Sequence, residues 1–475
     1  VKTYQDLLEV VGDESKLKEF LIAAINDHKS SESYRLAKEG KAYDQQKNTT
    51  IEQYRKLLYT VTGQAIPDNY SANHKLASNY YHRFNVQENQ YLLGNGANFN
   101  KGETKAKLGT KKKAFDTQLQ KLGKLALTEG SSFGFWNLDH IDVFSILEIV
   151  PLCDEEDGYL KAAIRYWQID DRKPLRITLY EMDGYTEYIK RASDKDVEVY
   201  KPKRAYVLHV KSSESDGDEV VRGENYPGFP IVPLWGNQDH TVLISGLKKS
   251  IDCYDLIKSG FANDIDDASL IYWTIENAGG MGDIDLAEFV QHMKTVKAAV
   301  VRDDGAKIES HTQDVPVAAR ETYLTRLEKD LYKDAMALDT EAIANGNTVA
   351  TAIRAAYEPL NNKTDDFEYC VIEFTQNILE LAGIDDEVSF KRSTIINQTE
   401  ETTMVLAAAQ YLDIETILKH LPFINVDEID DILDNVTREE ANRFTQEDNV
   451  NGGSGEETNG QNTSGSGEGN KEDLQ

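Results

Sequence analysis

The sequence predicts an α+β chain with helices at both ends, a β-rich middle, and two long amphipathic helices around a small mixed insert. Three observations point to this. Apolar residues recur every three or four positions up to Leu127, the period falls to two between Ser131 and Trp235, and it returns to three or four in long stripes beyond Pro233.

Taken in order, Leu17, Phe20, Leu21 and Ala24 mark an early helix, and Ala77, Tyr80, Tyr81, Phe84, Glu88 and Tyr91 mark a second that stops at Gly94-Asn95-Gly96. Lys111-Lys112-Lys113 reads as a solvated loop or helix start before the spacing of Leu119, Leu122, Leu125 and Leu127. In the alternating stretch, Ile177 and Leu179 face Tyr185 and Tyr188 across Asp183-Gly184, a hairpin signal. Leu243, Leu247, Ile251, Tyr254, Ile257, Phe261 and Ile265 then form one apolar stripe. Between Thr241 and Leu270 that helix would be ~45 Å long at ~1.5 Å per residue.

Next comes the insert. Ile271, Trp273 and Ile275 read as a strand, Leu286 to Val296 as a helix, and Val300-Val301 with Ile308 as a hairpin around Asp303-Asp304-Gly305. Asp314 and Pro316 announce the second long helix, with Leu324, Leu327, Leu331, Ala335 and Leu338 on one face and an expected end near Asp339. After a loop from Glu341 to Thr348, a further helix runs from Val349 through Leu381, and Pro359 should kink it. A last helical group spans Thr399 to Phe444. The stretch from Gln446 to Gln475 is Gly, Ser, Asn and Glu with almost no apolar side chain, and is expected to stay disordered.

Composition narrows the function. The 475 residues carry a net charge of -30, which opposes tight binding in a DNA groove but not the passage of a duplex nearby. No apolar run is long enough to span a bilayer. Val1-Lys2-Thr3-Tyr4 lacks the charged-then-apolar pattern of a secretory signal, so the chain is expected to stay where it is made. Cys153, Cys253 and Cys370 are odd in number and far apart, which fits free thiols.

Catalytic patterns are sparse. Gly130-Ser131-Ser132-Phe133-Gly134 fits the G-x-S-x-G elbow, but a helical pattern precedes it and an extended one follows, the reverse of what an elbow needs. Phosphate-cradle, H-E-x-x-H and C-x-x-C patterns are missing from the sequence. Asp154-Glu155-Glu156-Asp157-Gly158 lacks the alternating oxygens of a calcium loop and reads as an acidic turn, while Asp266-Asp267 and Asp385-Asp386 read as solvated acids. The expectation is no enzyme, no cofactor and no metal.

Local segments then resemble one family. They are Asn73-His74-Lys75-Leu76 leading to Tyr91-Leu92-Leu93-Gly94, Ala126-Leu127 through Gly130-Ser131-Ser132, and Pro151. Phe229-Pro230-Ile231-Val232-Pro233-Leu234 followed by Ser245-Gly246-Leu247 and Ile251-Asp252-Cys253-Tyr254-Asp255 is the most specific. Val315-Pro316-Val317, and Gly346-Asn347 before Val349-Ala350, add to it. From about Leu17 to Glu440 the chain resembles the portal proteins of tailed, siphophage-type bacteriophages.

That resemblance implies a portal fold with a β-rich wing (1–240), a stem helix (241–270), a small α/β clip (271–313), a second stem helix (314–338) and a tunnel loop (339–348). A kinked wing helix with a return strand (349–398), a helical crown (399–445) and the disordered tail (446–475) complete it. It also implies a ring of about twelve copies at one capsid vertex of the virion, assembled in the host cytoplasm, through which double-stranded DNA passes non-specifically during packaging and ejection. Capsid, scaffolding, terminase and head-tail adaptor proteins would be its partners, and no membrane. Glu341, Asn345, Gly346, Asn347 and Thr348 would face the channel. Lys258, Arg326, Lys329 and Lys333 would touch phosphates transiently, or pair with acids. Leu247, Ile251, Tyr254, Leu324, Leu327 and Leu331 would pack the stem, with neighbouring copies supplying partners. The alternative is a non-portal structural adaptor or scaffold.

Overall fold

The computed structural model describes residues 2–59, 63–69, 71–194, 196–213, 217–268, 272–276, 307–311, 316–341, 350–393 and, in pieces, 402–438. It divides into two units, 1–393 and 394–475.

Short polar side chains start the first helices. Thr3 and Asp6 form a reciprocal capping box on α1 (Tyr4–Val10), Asp13 accepts from the Ser15 and Lys16 amides at α2 (Glu14–Ser30), and Ser31 caps α3 (Glu32–Asp44). α4 (Thr49–Gln53), a hairpin of β1 (Leu57–Tyr59) and β2 (Ala65–Pro67), and α5 (Tyr80–Leu93) follow. After β3 (Ala97–Phe99) and α6 (Thr104–Lys107), α7 (Phe115–Glu129) ends at Gly130 with φ 89°, where a Cβ would stand 2.7 Å from a Val242 methyl.

Strands occupy the stretch where the period is two. β4 (Ser131–Asn137), β5 (His140–Ser145) and β13 (Ile231–Trp235) form an antiparallel sheet in the order β13-β4-β5, with Ser132 opposite both Leu234 and Ser145. β6 (Ile149–Cys153), β7 (Leu160–Trp167), β8 (Leu175–Glu181), β9 (Gly184–Lys190) and β10 (Glu198–Arg204) form a second antiparallel sheet in reverse sequence order. β11 (Val207–Ser213) and β12 (Gly217–Glu224) make a separate hairpin.

The second sheet buries Leu152, Ile164, Ile177 and Leu179 against Phe20, Leu21 and Ala24 of α2. The first packs beneath α10 (Ala350–Ala382), where Phe367, Val371, Phe374 and Ile378 meet Trp136, Leu234 and the α7 leucines. Gly134 makes this approach possible, because a Cβ there would lie 2.6 Å from the Phe374 ring. Phe374 is 1% exposed, so its truncation to alanine would cost about 3–5 kcal/mol. β16 (Val388–Phe390) then returns to pair antiparallel with β3.

Between these lie α8 (Ile244–Ala268), the paired strands β14 (Tyr272–Glu276) and β15 (Lys307–His311), and α9 (Val317–Asp334). In the second unit, α11 (Ile414–His420) starts at Asp413, whose side chain accepts from the Thr416 amide.

Several expectations shift in detail. The β8–β9 turn is Met182-Asp183, since Gly184 already pairs with Glu181. The strand that holds Ile308 pairs with β14, while the expected helix from Leu286 to Val296 and the turn at Asp303-Asp304-Gly305 lie outside the described residues. α9 stops at Asp334 and not near Asp339. Met336, with φ 52°, ends it: the Ala337 amide reaches back to the Tyr332 carbonyl and the Met336 amide to that of Lys333, the paired bonds of a Schellman ending. Pro359 lies inside α10. The stretch from Gln446 to Gln475 lies outside the described residues.

Candidate functional site

α8 and α9 lie against each other and against α5. The α8 stripe enters the body of the same subunit: Leu247 and Ile251 are buried with Tyr80, Tyr81 and Phe84, and Leu331 and Ala335 of α9 close the cluster. Tyr80 ties the three helices together. Its ring meets Tyr254 edge-on at 5.1 Å, and its hydroxyl donates to Glu328 at 2.8 Å. Burial, reinforced by Tyr254 and Glu328, pushes that hydroxyl far above the ordinary tyrosine value. Arg83 lies over the rings of both Tyr80 and Tyr332, and Arg320 pairs with Asp264 to join the far ends of α8 and α9.

A polar seam runs beside the apolar stripe. Lys248 donates to Tyr43 Oη at 2.9 Å, Thr50 Oγ1 at 2.8 Å and Asp252 Oδ2 at 2.8 Å. Burial alone would lower its pKa, but the bonds to Asp252 and Tyr43 outweigh that and hold it above the ordinary lysine value. Further along, three alternate backbone amides dock on the helix: Ser78 N donates to Asp255 Oδ1 at 2.8 Å, Leu76 N to Ser259 Oγ at 3.0 Å, and His74 N to Asn263 Oδ1 at 2.6 Å. The fit is metric. Two residues of extended chain advance ~6.6 Å and four residues of helix ~6 Å, so acceptors one turn apart meet every second amide. Asp255 is fully buried and also accepts from Asn48, and its burial pushes the carboxyl above the ordinary aspartate value.

The residues expected to pack the stem divide along the helices. Leu247, Ile251 and Leu331 are buried inside the subunit and need no neighbouring copy, because aromatic residues of α5 fill their side. Tyr254, Leu324 and Leu327 are only half-buried. Of the expected cations, Arg326, Lys329 and Lys333 are spaced by three and four, and line one exposed groove on α9 with Glu321, Thr325 and Asp330. Arg326 is 79% exposed and 3.8 Å from Asp330. Lys258 stands apart on α8, with its amine 5.9 Å from the Tyr254 ring centre. Glu341 is exposed, and its amide donates to Asp339 Oδ1 at 3.1 Å, while Asn345, Gly346, Asn347 and Thr348 lie outside the described residues.

Ser132 is no nucleophile. It is completely buried on β4, its hydroxyl donates to the Leu122 carbonyl at 2.8 Å, and a helix precedes it where an elbow has a strand. Asp154 caps a turn by accepting from the Glu156 amide at 2.8 Å and from Gln5 at 2.9 Å. Asp386 receives the Asn100 and Lys101 amides at 3.2 and 3.1 Å. Desolvation is the largest single influence and raises its pKa, but the bonds from Thr104 and from the Glu387, Lys101 and Asn100 amides together outweigh it and hold the carboxyl below the ordinary value. Among the described residues no group of three His, Cys, Asp or Glu could hold a metal, and the three cysteines are free.

Sequence reasoning missed the seam and a buried ion pair, Glu88 to Lys363 at 2.6 Å, which joins α5 to α10. Burial pushes the Glu88 carboxyl up, against the pull of Lys363. The seam had a signal, since Asp252, Asp255, Ser259, Asn263 and Asp266 are polar at helical spacing.

A family model described as phage portal protein, SPP1 Gp6-like, matches residues 24–448. The portal protein of Clostridium phage phiCD119 is 25% identical over 289 residues, 58% of this chain and 62% of that protein. The portal protein of Bacillus phage SPP1 is 23% identical over 334 residues, 66% of this chain and 63% of that protein. The chain thus spans less than two thirds of the length of these relatives. Among solved structures, a chain in the neck of a native GTA particle computed with C12 symmetry aligns with a TM-score of 0.44 at 9% identity, covering 73% of this chain and 90% of that one.

Proposed function

The chain belongs to the phage portal protein family, SPP1 Gp6-like, and from that premise we propose that it is the ring-forming structural subunit at one capsid vertex of a tailed phage. The ring, of about twelve copies, surrounds an axial channel for DNA packaging and ejection. Outside the channel it gives terminase and head-tail connector proteins a platform, and capsid and scaffolding proteins meet it during assembly in the host cytoplasm. It works by shape and charge, with no reaction of its own.

One observation supports this reading above the others. α8 and α9 present two unlike sides, an apolar and hydrogen-bonded side sealed onto the body of the subunit, and an exposed side of α9 carrying Arg326, Lys329 and Lys333 among acids. The half-buried Leu324 and Leu327 then meet the next copy, and the three cations touch duplex phosphates briefly. An acidic chain with sparse cations lets DNA slide where a uniformly basic lining would trap it. Glu341 leads into the loop that reaches the channel.

Light scattering and negative-stain microscopy of the purified chain test this. A ring of about a dozen subunits with a central hole is the expected result. A compact monomer or dimer, in the presence as in the absence of scaffold, would turn the assignment toward the adaptor.

A further inference from the structure

α10 has a weak turn at Pro359, which brings no amide to the Ala355 carbonyl and whose ring crowds the preceding turn. Beside it, Tyr357 and Leu360 pack on Tyr91 and Leu338, and farther along Phe367, Val371 and Phe374 sit in the main core. Between those two apolar contacts the helix turns Asn361, Asp365 and Glu368 to one side, at spacings of four and three. A single side chain from outside the helix meets all three. Arg392 Nη1 donates to the Asn361 carbonyl at 3.4 Å and to its Oδ1 at 3.3 Å, and Nη2 donates to Asp365 and, at 2.6 Å, to Glu368. A guanidinium can do this because it is a planar fork with five donors.

Arg392 belongs to a short strap that follows β16. Asn95 Nδ2 donates to the Lys391 carbonyl at 2.9 Å, the Ser393 amide donates to the Tyr91 carbonyl at 2.8 Å, and beyond Ser393 the chain passes into the second unit. Tyr91 serves both sides, since its hydroxyl donates to Asn361 Oδ1 at 2.6 Å.

We propose that Arg392 is a latch that couples the strap 391–393 to the turn of α10 next to Pro359. With the guanidinium seated, the two halves of α10 move as one. Withdrawal of the strap frees the turn to hinge, because helices bend where proline has already removed a hydrogen bond. The coupling is reciprocal, so a loosened turn also loosens the strap. Every contact lies within one subunit, so the latch goes beyond the ring-forming reading and does not depend on it.

Hydrogen exchange read by mass spectrometry on the full chain tests this. Arg392→Ala should speed exchange of the amides from 360 to 365 and from 391 to 393 on the order of tenfold, and leave those from 370 to 381 unchanged. The double variant Asp365→Asn/Glu368→Gln, which keeps Arg392 and alters only the helix side, should speed exchange at both places, strap included. Arg392→Lys, which can meet one carboxylate but cannot span three residues, should fall between wild type and Arg392→Ala. Unchanged exchange from 360 to 365 in Arg392→Ala, an unchanged strap in the double variant, or an equal rise from 370 to 381 would each overturn the latch and leave Arg392 as an ordinary stabilising contact.

Discussion

Replacing Asp255 with alanine probes the seam where it is best sealed. The carboxylate accepts from the Ser78 amide and from Asn48, in a fully buried position. Alanine leaves the Ser78 amide without a partner and one Asn48 Nδ2 hydrogen unpaired, the other still reaching the Ser78 carbonyl at 3.1 Å, in a place too enclosed for water, at about 1–3 kcal/mol for each lost bond. Removing a buried carboxylate returns part of this, because desolvation already strains it. The net loss should be about 2–4 kcal/mol. The sign of the pH dependence follows from the direction of the shift. Asp255 titrates above its ordinary value of 3.8 in the folded chain, so its contribution is greatest below that value and declines as pH rises through the folded pKa. Urea denaturation followed by tryptophan fluorescence should therefore show a wider gap between wild type and Asp255→Ala at pH 4 than at pH 8. Asp255→Asn, which keeps an acceptor for Ser78 N, should cost less and contribute no titration. A gap below about 1 kcal/mol, or one that stays constant with pH, would refute the account of the seam.

Other outcomes follow from single contacts. Met336→Gly removes a left-handed non-glycine residue from the end of α9 and should raise stability by about 0.5–1 kcal/mol, read as a higher melting temperature. Glu88→Gln should destabilise by about 3–5 kcal/mol by leaving Lys363 unpaired in an enclosed site, and Glu88→Gln/Lys363→Met should recover part of that loss in the same denaturation assay. Leu324→Asp or Leu327→Asp should disrupt rings while subunits remain folded, whereas Leu331→Asp, at a fully buried position, should unfold the subunit itself; light scattering and circular dichroism separate the two. Ser132→Ala should leave reactivity toward an acylating probe unchanged and cost about 1 kcal/mol for one lost hydrogen bond.

Much of the fold was legible because it is written in local periodicity. The change at Ser131 from a helical to a two-residue period coincides with the first residue of β4, and the last residue of β13 is Trp235. α8 and α9 lie within the ranges 241–270 and 314–339 expected for them, and α10 runs one residue past its expected end, to Ala382. The end of α9 was misplaced because the stripe continues to Leu338, while a positive φ at Met336 stops the helix, and no composition signal marks a methionine in that conformation. Candidate cations were found by type, but their grouping was not. Arg326, Lys329 and Lys333 share a groove because one helix carries them, and Lys258 is excluded because another does.

Sequence alone determined the fold class, the places where one kind of structure changes to another, the lack of catalytic hardware among the motifs it can spell, and the resemblance to portal proteins. Each depends on residues near one another in the chain, or on motifs a few residues long. Tertiary structure decided which partner fills each face. The α8 stripe by itself predicts partners on neighbouring copies, but Tyr80, Tyr81 and Phe84, more than 150 positions earlier in the chain, already cover Leu247 and Ile251. The amides of His74, Leu76 and Ser78 carry no side-chain signature, so their docking on Asn263, Ser259 and Asp255 could not be read from residue type. A backbone donor is the same at every non-proline position, and only the folded path of the chain selects which donors meet an acceptor.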